Sequence, residues 1–320
     1  MKKPGILEKD QCEAIIGLAA SSLYEYCEHH GIHYVVTGSS GGLDSAVTLA
    51  LAQRACKMAA ENDFDLTSVG LIMPCHSDES AERLGKMVIE KFGAEQITID
   101  LTSNFDYATN LIDGTNSQIT HILRTTGGVD AIDQLDWSKN IAQGNIKARM
   151  RMMFGTYHVA RMMNGMVLST DNLSEFWMAF WTICGDVGDY GMIQSLLKGL
   201  ELYDLADCLG VPKEIINSKP DDGLNVGNGD EDQLGASYPV LDLVMIELIH
   251  QVFDPDGSLD QLMTLPSVEG VDQDVVVKLA KRCLRGSFKR HGPIVLSRAE
   301  LGLAAIKNLD LDMIQNHFRD

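Results

Sequence analysis

The sequence predicts an α/β fold: a doubly wound parallel sheet with helices on both faces. Three observations carry that expectation. Short aliphatic runs alternate with segments of helical period. The first such run leads straight into a glycine- and serine-rich turn and then a helix. Finally, 320 residues at 45% apolar content are enough to bury both faces of a sheet, within one domain spanning residues 1–320.

In chain order, Leu7 to His30 has Ile15, Ile16, Leu18, Ala19, Leu23 and Tyr26 at roughly helical spacing and stops at Gly31. His33 to Thr37 is a β-branched strand, Gly38 to Gly42 a turn, and Asp44 to Ala60 a helix of small and apolar residues. Ser68 to Met73 and Gln96 to Leu101 read as strands around a helix over Asp78 to Phe92; strands linked by helices imply right-handed crossovers. Thr102 to Gln143 is polar, with room for one or two helices. Asn145 to Met163 is helical, Gly165 to Ser169 a further strand, Leu173 to Trp181 a helix and Gly185 to Gly191 a loop. Lys198 to Leu209 is a helix ended by Gly210, and Pro212 opens another. Lys219 to Gly235, acidic and glycine-rich, is expected to be a mobile loop, followed by helices over Val240 to Phe253 and Val271 to Leu284.

The charge narrows the partners. With 26 Lys and Arg against 45 Asp and Glu, the net charge is −19, which repels nucleic acid and anionic lipid. The basic residues Lys281, Arg282, Arg285, Lys289 and Arg290 form only a small cluster. The seven cysteines show no CxxC and no zinc-like spacing, and no apolar run has the length of a membrane span or a signal peptide. These features predict a soluble cytoplasmic protein with reduced thiols.

The chemistry concentrates in Ser39-Ser40-Gly41-Gly42-Leu43-Asp44-Ser45. Between a strand and a helix, its amides form an anion site; glycines admit a phosphate, Ser40 and Ser45 add hydroxyls, and Asp44 suits a magnesium ion. A plain turn with an Asp N-cap is the alternative from spacing alone. The loop is neither a GxxxxGK[ST] phosphate loop nor a GxGxxG dinucleotide fingerprint.

SGGLDS after a strand resembles the signature of the ATP pyrophosphatases. Further segments follow in the order seen in NAD synthases of the ammonia-dependent type: Asn145 to Met152, Ser169 to Glu175, Thr182 to Asp186, Asp230 to Tyr238, and Ser287 to Ile294 with its lysine. The resemblance runs from about Ile32 to Ile294 and implies an adenine nucleotide alpha hydrolase-like, Rossmann-like fold. It implies ATP-dependent amidation of deamido-NAD to NAD through an adenylated carboxylate, with ammonia as nitrogen donor and AMP and pyrophosphate released.

By that similarity, Ser40, Gly41, Gly42, Asp44, Ser45, Thr170, Lys198 and Lys289 bind ATP, with Asp44, Lys198 and Lys289 catalytic. Asp44 and Glu175 hold Mg²⁺. Asn145, Arg149, Asp186 and Asp189 bind the dinucleotide, at a homodimer interface. In isolation Glu175 reads as a helix-surface carboxylate, Lys198 as a solvated lysine and Asp230 to Asp232 as a solvated loop; the ordered set of motifs reverses this. No glutaminase domain is expected, so free ammonia or a separate glutaminase supplies the nitrogen. The sequence departs from the family pattern at Ser169, at Ile183 in place of a lysine, and at Pro220 to Leu224. Those departures leave two alternatives: amidation of nicotinate mononucleotide or another carboxylate, and a catalytically reduced nucleotide-binding regulatory protein.

Overall fold

The computed structural model of the chain describes residues 5–126, 135–221, 223, 229–292 and 295–311. It opens in strict alternation: α1 (Lys9–His30), β1 (Tyr34–Gly38), α2 (Leu43–Glu61), β2 (Thr67–Ile72), α3 (Glu79–Phe92) and β3 (Glu95–Thr98). Two long helices, α4 (Thr102–Thr125) and α5 (Leu135–Met150), come next. A π-helical turn at Arg151–Thr156 leads into α6 (Tyr157–Met162), then β4 (Met166–Val167) and α7 (Leu173–Trp177). A second π-helical turn, Lys198–Leu202, runs into α8 (Tyr203–Leu209), followed by α9 (Lys213–Ile216) and α10 (Asp230–Leu234). The remaining α-helices are α11 (Tyr238–His250), α12 (Gln273–Arg285) and α13 (Ser287–Arg290).

Among the described residues four strands form one sheet in the order β3-β2-β1-β4, and every pairing is parallel. Alternating side chains serve opposite faces: Val35 packs with Ala20, Leu23 and Ala52 of α1 and α2, while Val36 joins Val159 and Ala160 of α6. Helices therefore cover both faces, as the doubly wound reading predicts. A second apolar cluster lies C-terminal to the sheet layers, where Leu241, Val244, Met245 and Leu248 of α11 meet Val276, Leu279 and Cys283 of α12. Strand order reverses at β1, because β2 and β4 flank it. The crevice beyond the carboxyl ends of the strands at such a reversal is where ligands bind in open α/β sheets.

Several boundaries differ from the sequence expectation, each for a local reason. The helix expected to run to Trp181 stops at Trp177, where the chain turns through Ala179 at φ 50°. The helix expected over Asn145 to Met163 is the C-terminal part of a longer helical segment, Leu135–Met162, interrupted by a π-helical turn in which Gly155 packs against Met73. Lys198 begins a π-helical turn, with Leu202 N donating to Leu197 O at 3.0 Å. The stretch expected as a loop over Lys219 to Gly235 ends in α10, entered through Gly229 at φ 111°. Residues 127–134 of the long polar region, Asp222 and Leu224 of the Pro220 departure, and Pro293 and Ile294 of the C-terminal segment lie outside the described residues. Among the described residues no helix is long and apolar enough to cross a membrane.

Candidate functional site

A cavity of about 670 Å³ opens at the β1 switch point. One wall is the loop between β1 and α2. Ser39 anchors it: its amide donates to Leu71 O at 2.8 Å and its hydroxyl to Gly85 O at 3.0 Å. Gly41 takes φ +84°, and a Cβ there would stand 2.4 Å from Ala81 O, so the position demands glycine. Ser45 Oγ lies 3.1 Å from Ser40 Oγ and donates to Gly42 O at 3.1 Å, which turns both hydroxyls toward the start of α2. Gly42, Leu43, Asp44 and Ser45 bring the start of this 19-residue helix to the cavity, a favourable place for an anion.

The facing wall is a buried charge cluster. Lys198 Nζ sits 2.8 Å from Asp44 Oδ2 and 2.8 Å from Glu175 Oε1, with Asp230 Oδ2 at 3.7 Å. It also donates to Tyr238 OH at 3.3 Å and lies over that ring. Tyr238 OH in turn reaches Glu175 Oε1 at 3.0 Å and Asp230 Oδ2 at 3.2 Å. Asn172 ties the parts together: its Nδ2 donates to Asp44 Oδ1 at 2.8 Å, while its Oδ1 caps α7 by accepting from Glu175 N at 3.0 Å.

One ammonium serves three carboxylates, and this sets the protonation pattern. Burial pulls the Lys198 pKa down, but Asp44 and Glu175 beside it outweigh burial and hold it well above the ordinary lysine range. The surplus negative charge falls on Glu175, whose carboxyl burial pushes up to about 8, with Lys198 opposing and Asp44 adding to the rise. Nearby, burial raises Asp171 to about 6 although Ser169 Oγ donates to it at 2.7 Å. Asp186 is raised by burial and opposed by Arg151, 4.0 Å away.

The structure brings together Ser40, Gly41, Gly42, Asp44, Ser45, Thr170, Glu175 and Lys198, and adds Asn145, Asp186 and Lys289 to the same cavity. Asn145 Oδ1 accepts from Thr182 Oγ1 at 2.6 Å. Lys289 Nζ donates to Ala179 O at 2.9 Å and Trp181 O at 2.6 Å, and its pKa is lowered by burial and then by Arg282. Arg149 and Asp189 do not line the cavity. The Arg149 Nε and Nη2 groups both donate to Ile183 O, at 3.3 and 3.2 Å. Asp189 accepts from Tyr157 OH at 2.7 Å and from Val167 N at 3.2 Å at the end of β4. Arg151, two residues on from Arg149, lines the cavity instead.

Sequence reasoning gave no role to Asn172, Asp230 or Tyr238. Asp230 and Tyr238 stand in a segment that matched the family by order, yet the acidic run reads locally as solvated loop. The small basic cluster also proves to be partly internal. Arg282 donates to Met178 O and Gln233 O, at 3.2 and 3.0 Å, and Arg290 to Trp177 O at 3.0 Å.

A phosphate-type loop at the switch point of a parallel sheet, faced by a lysine held between carboxylates, defines a nucleotide-binding α/β enzyme. The sequence profile of the NAD synthase family matches residues 15–293, and the chain belongs to that family of ligases. It is 34% identical over 278 residues to the NH(3)-dependent NAD(+) synthetase of Methanocaldococcus jannaschii, covering 80% of this chain and 96% of that one. With the enzyme of the same name from Syntrophomonas wolfei the identity is 33% over 231 residues, covering 72% and 82%. Among solved structures, NMN synthetase from Francisella tularensis superposes with a TM-score of 0.65 at 24% identity, covering 89% of this chain and 98% of that one. NH3-dependent NAD synthetase from Campylobacter jejuni superposes with a TM-score of 0.63 at 23% identity, covering 89% and 99%, so both share the fold.

Proposed function

We propose that this chain is an ammonia-dependent NAD synthase that adenylates the carboxylate of deamido-NAD and then replaces AMP with ammonia. The observation that carries the reading is the Lys198 ammonium set between Glu175 of the facing wall and Asp44 at the end of the phosphate loop. A carboxylate is a poor acyl donor. Its oxygen attacks the α-phosphorus of ATP, pyrophosphate leaves, and the mixed anhydride then accepts ammonia at the carbonyl carbon; AMP departs as the C–N bond forms and a proton is released. The loop amides, Ser40 and Ser45 hold the phosphates, Lys198 and Lys289 answer their charge, and Thr170 contacts the nucleotide.

The donor set fits magnesium: Asp44 Oδ2 and Glu175 Oε1 are hard oxygen ligands converging on the point now held by an ammonium. Magnesium bound there would neutralise charge on the departing pyrophosphate. Asn145 and Asp186 on the cavity wall are assigned to the dinucleotide. Arg149 and Asp189, off that wall, fit a site completed by a second copy of the chain. The exposed Tyr107, Leu111 and Ile122 on one face of α4 support that homodimer, together with exposed Met153 and Phe154. An active monomer by light scattering would remove the dimer from this reading. We place the enzyme in the cytoplasm, as one catalytic domain using free ammonia.

A second reading is favoured by Ile183, half-exposed where the family has a lysine: an apolar side chain supplies no cation to a dinucleotide phosphate, which suits nicotinate mononucleotide. Incubation with ATP, magnesium and ammonium plus either nucleotide decides. Pyrophosphate and NAD from deamido-NAD are expected. Turnover of the mononucleotide alone transfers the function to the second reading, and ATP binding without pyrophosphate release from either leaves a regulatory binding protein.

A further inference from the structure

Asp242, on α11 one turn beyond Tyr238, is fully buried. Its Oδ1 accepts from Ser174 Oγ at 2.5 Å and its Oδ2 from Gly199 N at 2.8 Å. Ser174 Oγ also accepts from Lys198 N at 2.8 Å. Among the described residues no lysine or arginine forms an ion pair with this carboxylate. Burying a carboxylate without a cation is costly unless hydrogen bonds compensate. Here burial raises its pKa to about 6, with Ser174 and the Gly199 and Leu200 amides opposing.

The partners of Asp242 explain its retention. Ser174 directly precedes Glu175 and Gly199 directly follows Lys198, so one carboxylate spans the two backbones that carry the lysine and the acid. Gly199 makes the approach possible: a Cβ there would stand 2.4 Å from Pro239 N, so the Lys198 turn lies flush on the start of α11. Tyr238 and Asp242 share a helix face at i and i+4. The tyrosine holds the side chains of Lys198 and Glu175, and the aspartate holds the neighbours of each, the Ser174 hydroxyl and the Gly199 amide.

We propose that Asp242 is a positioning residue for the reaction: through Ser174 Oγ and the Gly199 amide it fixes the Lys198 and Glu175 backbones relative to each other, and so sets where ammonium and carboxylate meet the nucleotide. The idea rests on the nucleotide role of Lys198 and Glu175 given under the proposed function. It extends the site one layer beyond the residues that touch ligand.

The test is a double-mutant cycle of Asp242→Asn and Ser174→Ala, read by calorimetric binding of magnesium·ATP and by kcat and KM for deamido-NAD. Each single variant is expected to weaken magnesium·ATP binding and lower kcat by roughly tenfold, with KM for deamido-NAD unchanged. The double variant should lose no more than the worse single, because both act through one chain of hydrogen bonds. Wild-type magnesium·ATP affinity in folded Asp242→Asn, or losses that multiply in the double variant, would overturn the proposal. If Asp242→Asn does not fold, Ser174→Ala alone decides: unaltered magnesium·ATP binding overturns the proposal and a tenfold loss supports it. A wild-type protein that binds magnesium·ATP but turns over no pyridine nucleotide sinks the amidation reading, while the binding cycle still judges Asp242.

Discussion

The two walls of the cavity hold charge by opposite means. The loop from Ser39 to Ser45 is continuous in sequence, stands at a helix start and, apart from Asp44, which pairs with Lys198 of the other wall, offers neutral amides and hydroxyls. The facing wall collects Asn172 and Glu175, Lys198, Asp230 and Tyr238 from four separate segments and buries formal charges. A loop of the first kind depends on backbone geometry; a cluster of the second kind depends on balance among charges. Substitutions on the two sides should therefore fail differently, and that difference can be measured.

The largest effect belongs to the cluster. Lys198→Met is expected to reduce pyrophosphate release by about a thousandfold or more, since it removes a preorganised cation from the transferring phosphates. Asp44→Asn should abolish adenylation to a similar degree with the fold intact. Lys198→Met carries a second, opposite signature. With the resident ammonium gone, Asp44 and Glu175 are left without their shared counter-ion, so manganese binding in the absence of nucleotide should tighten. Equal or weaker manganese binding by paramagnetic resonance would show that the lysine does not occupy the cation position.

The loop breaks by geometry instead. Gly41→Ala forces a side chain into a left-handed conformation against Ala81 O, at a cost of about 2 kcal/mol or more in stability. Denaturant unfolding should show that loss, and ATP binding should fall with it while nucleotide-free manganese binding stays as in the wild type. Loss of manganese binding would mean that the two walls are not separable.

A smaller effect lies in pH. The folded chain holds Glu175 protonated up to about 8, whereas the unfolded chain releases that proton in the ordinary carboxylate range. The stability this contributes is complete at the acid end of the window and is lost as pH rises through about 8. Asp171 and Asp242, each raised to about 6, act in the same direction at lower pH. Without metal or nucleotide, the melting midpoint should drop by on the order of a few degrees between pH 5 and 9, and Glu175→Gln should flatten the upper part of that slope. An upward slope would contradict the assignment of surplus charge to Glu175.

The same contrast explains what could be read before folding. β1, the glycine loop and α2 were legible because strand period, turn residues and helix period lie side by side over Tyr34 to Glu61. Lys198 and Glu175 were legible only through the family's motif order, since a single Lys or Glu carries no local mark of burial. Tyr238 and Asp230 had no such mark either. Asp230 begins a five-residue helix inside an acidic, glycine-rich stretch, and helices that short have no period to detect. The π-helical turns at Arg151 and Lys198 were missed for a related reason: tertiary packing inserts the extra residue, and the sequence period continues across it. Both turns begin at a cation that lines the cavity.

The smallest predicted effect tests whether the cluster balances as a unit. Tyr238→Phe deletes one hydroxyl that lies between Lys198, Glu175 and Asp230 while leaving the ring under the ammonium. Lys198 retains both carboxylates at 2.8 Å, so the ammonium should stay in place. Glu175 loses a donor to its ionised form, which favours its protonated state further. A net hydrogen bond of this kind contributes about 1 kcal/mol, so magnesium·ATP affinity should fall roughly fivefold. The pH at which affinity declines on acidification should move upward, because Glu175 must lose its proton before it can hold a cation. A fivefold loss with the pH profile unmoved would assign Tyr238 to packing alone and leave the protonation of Glu175 to Lys198 and Asp44.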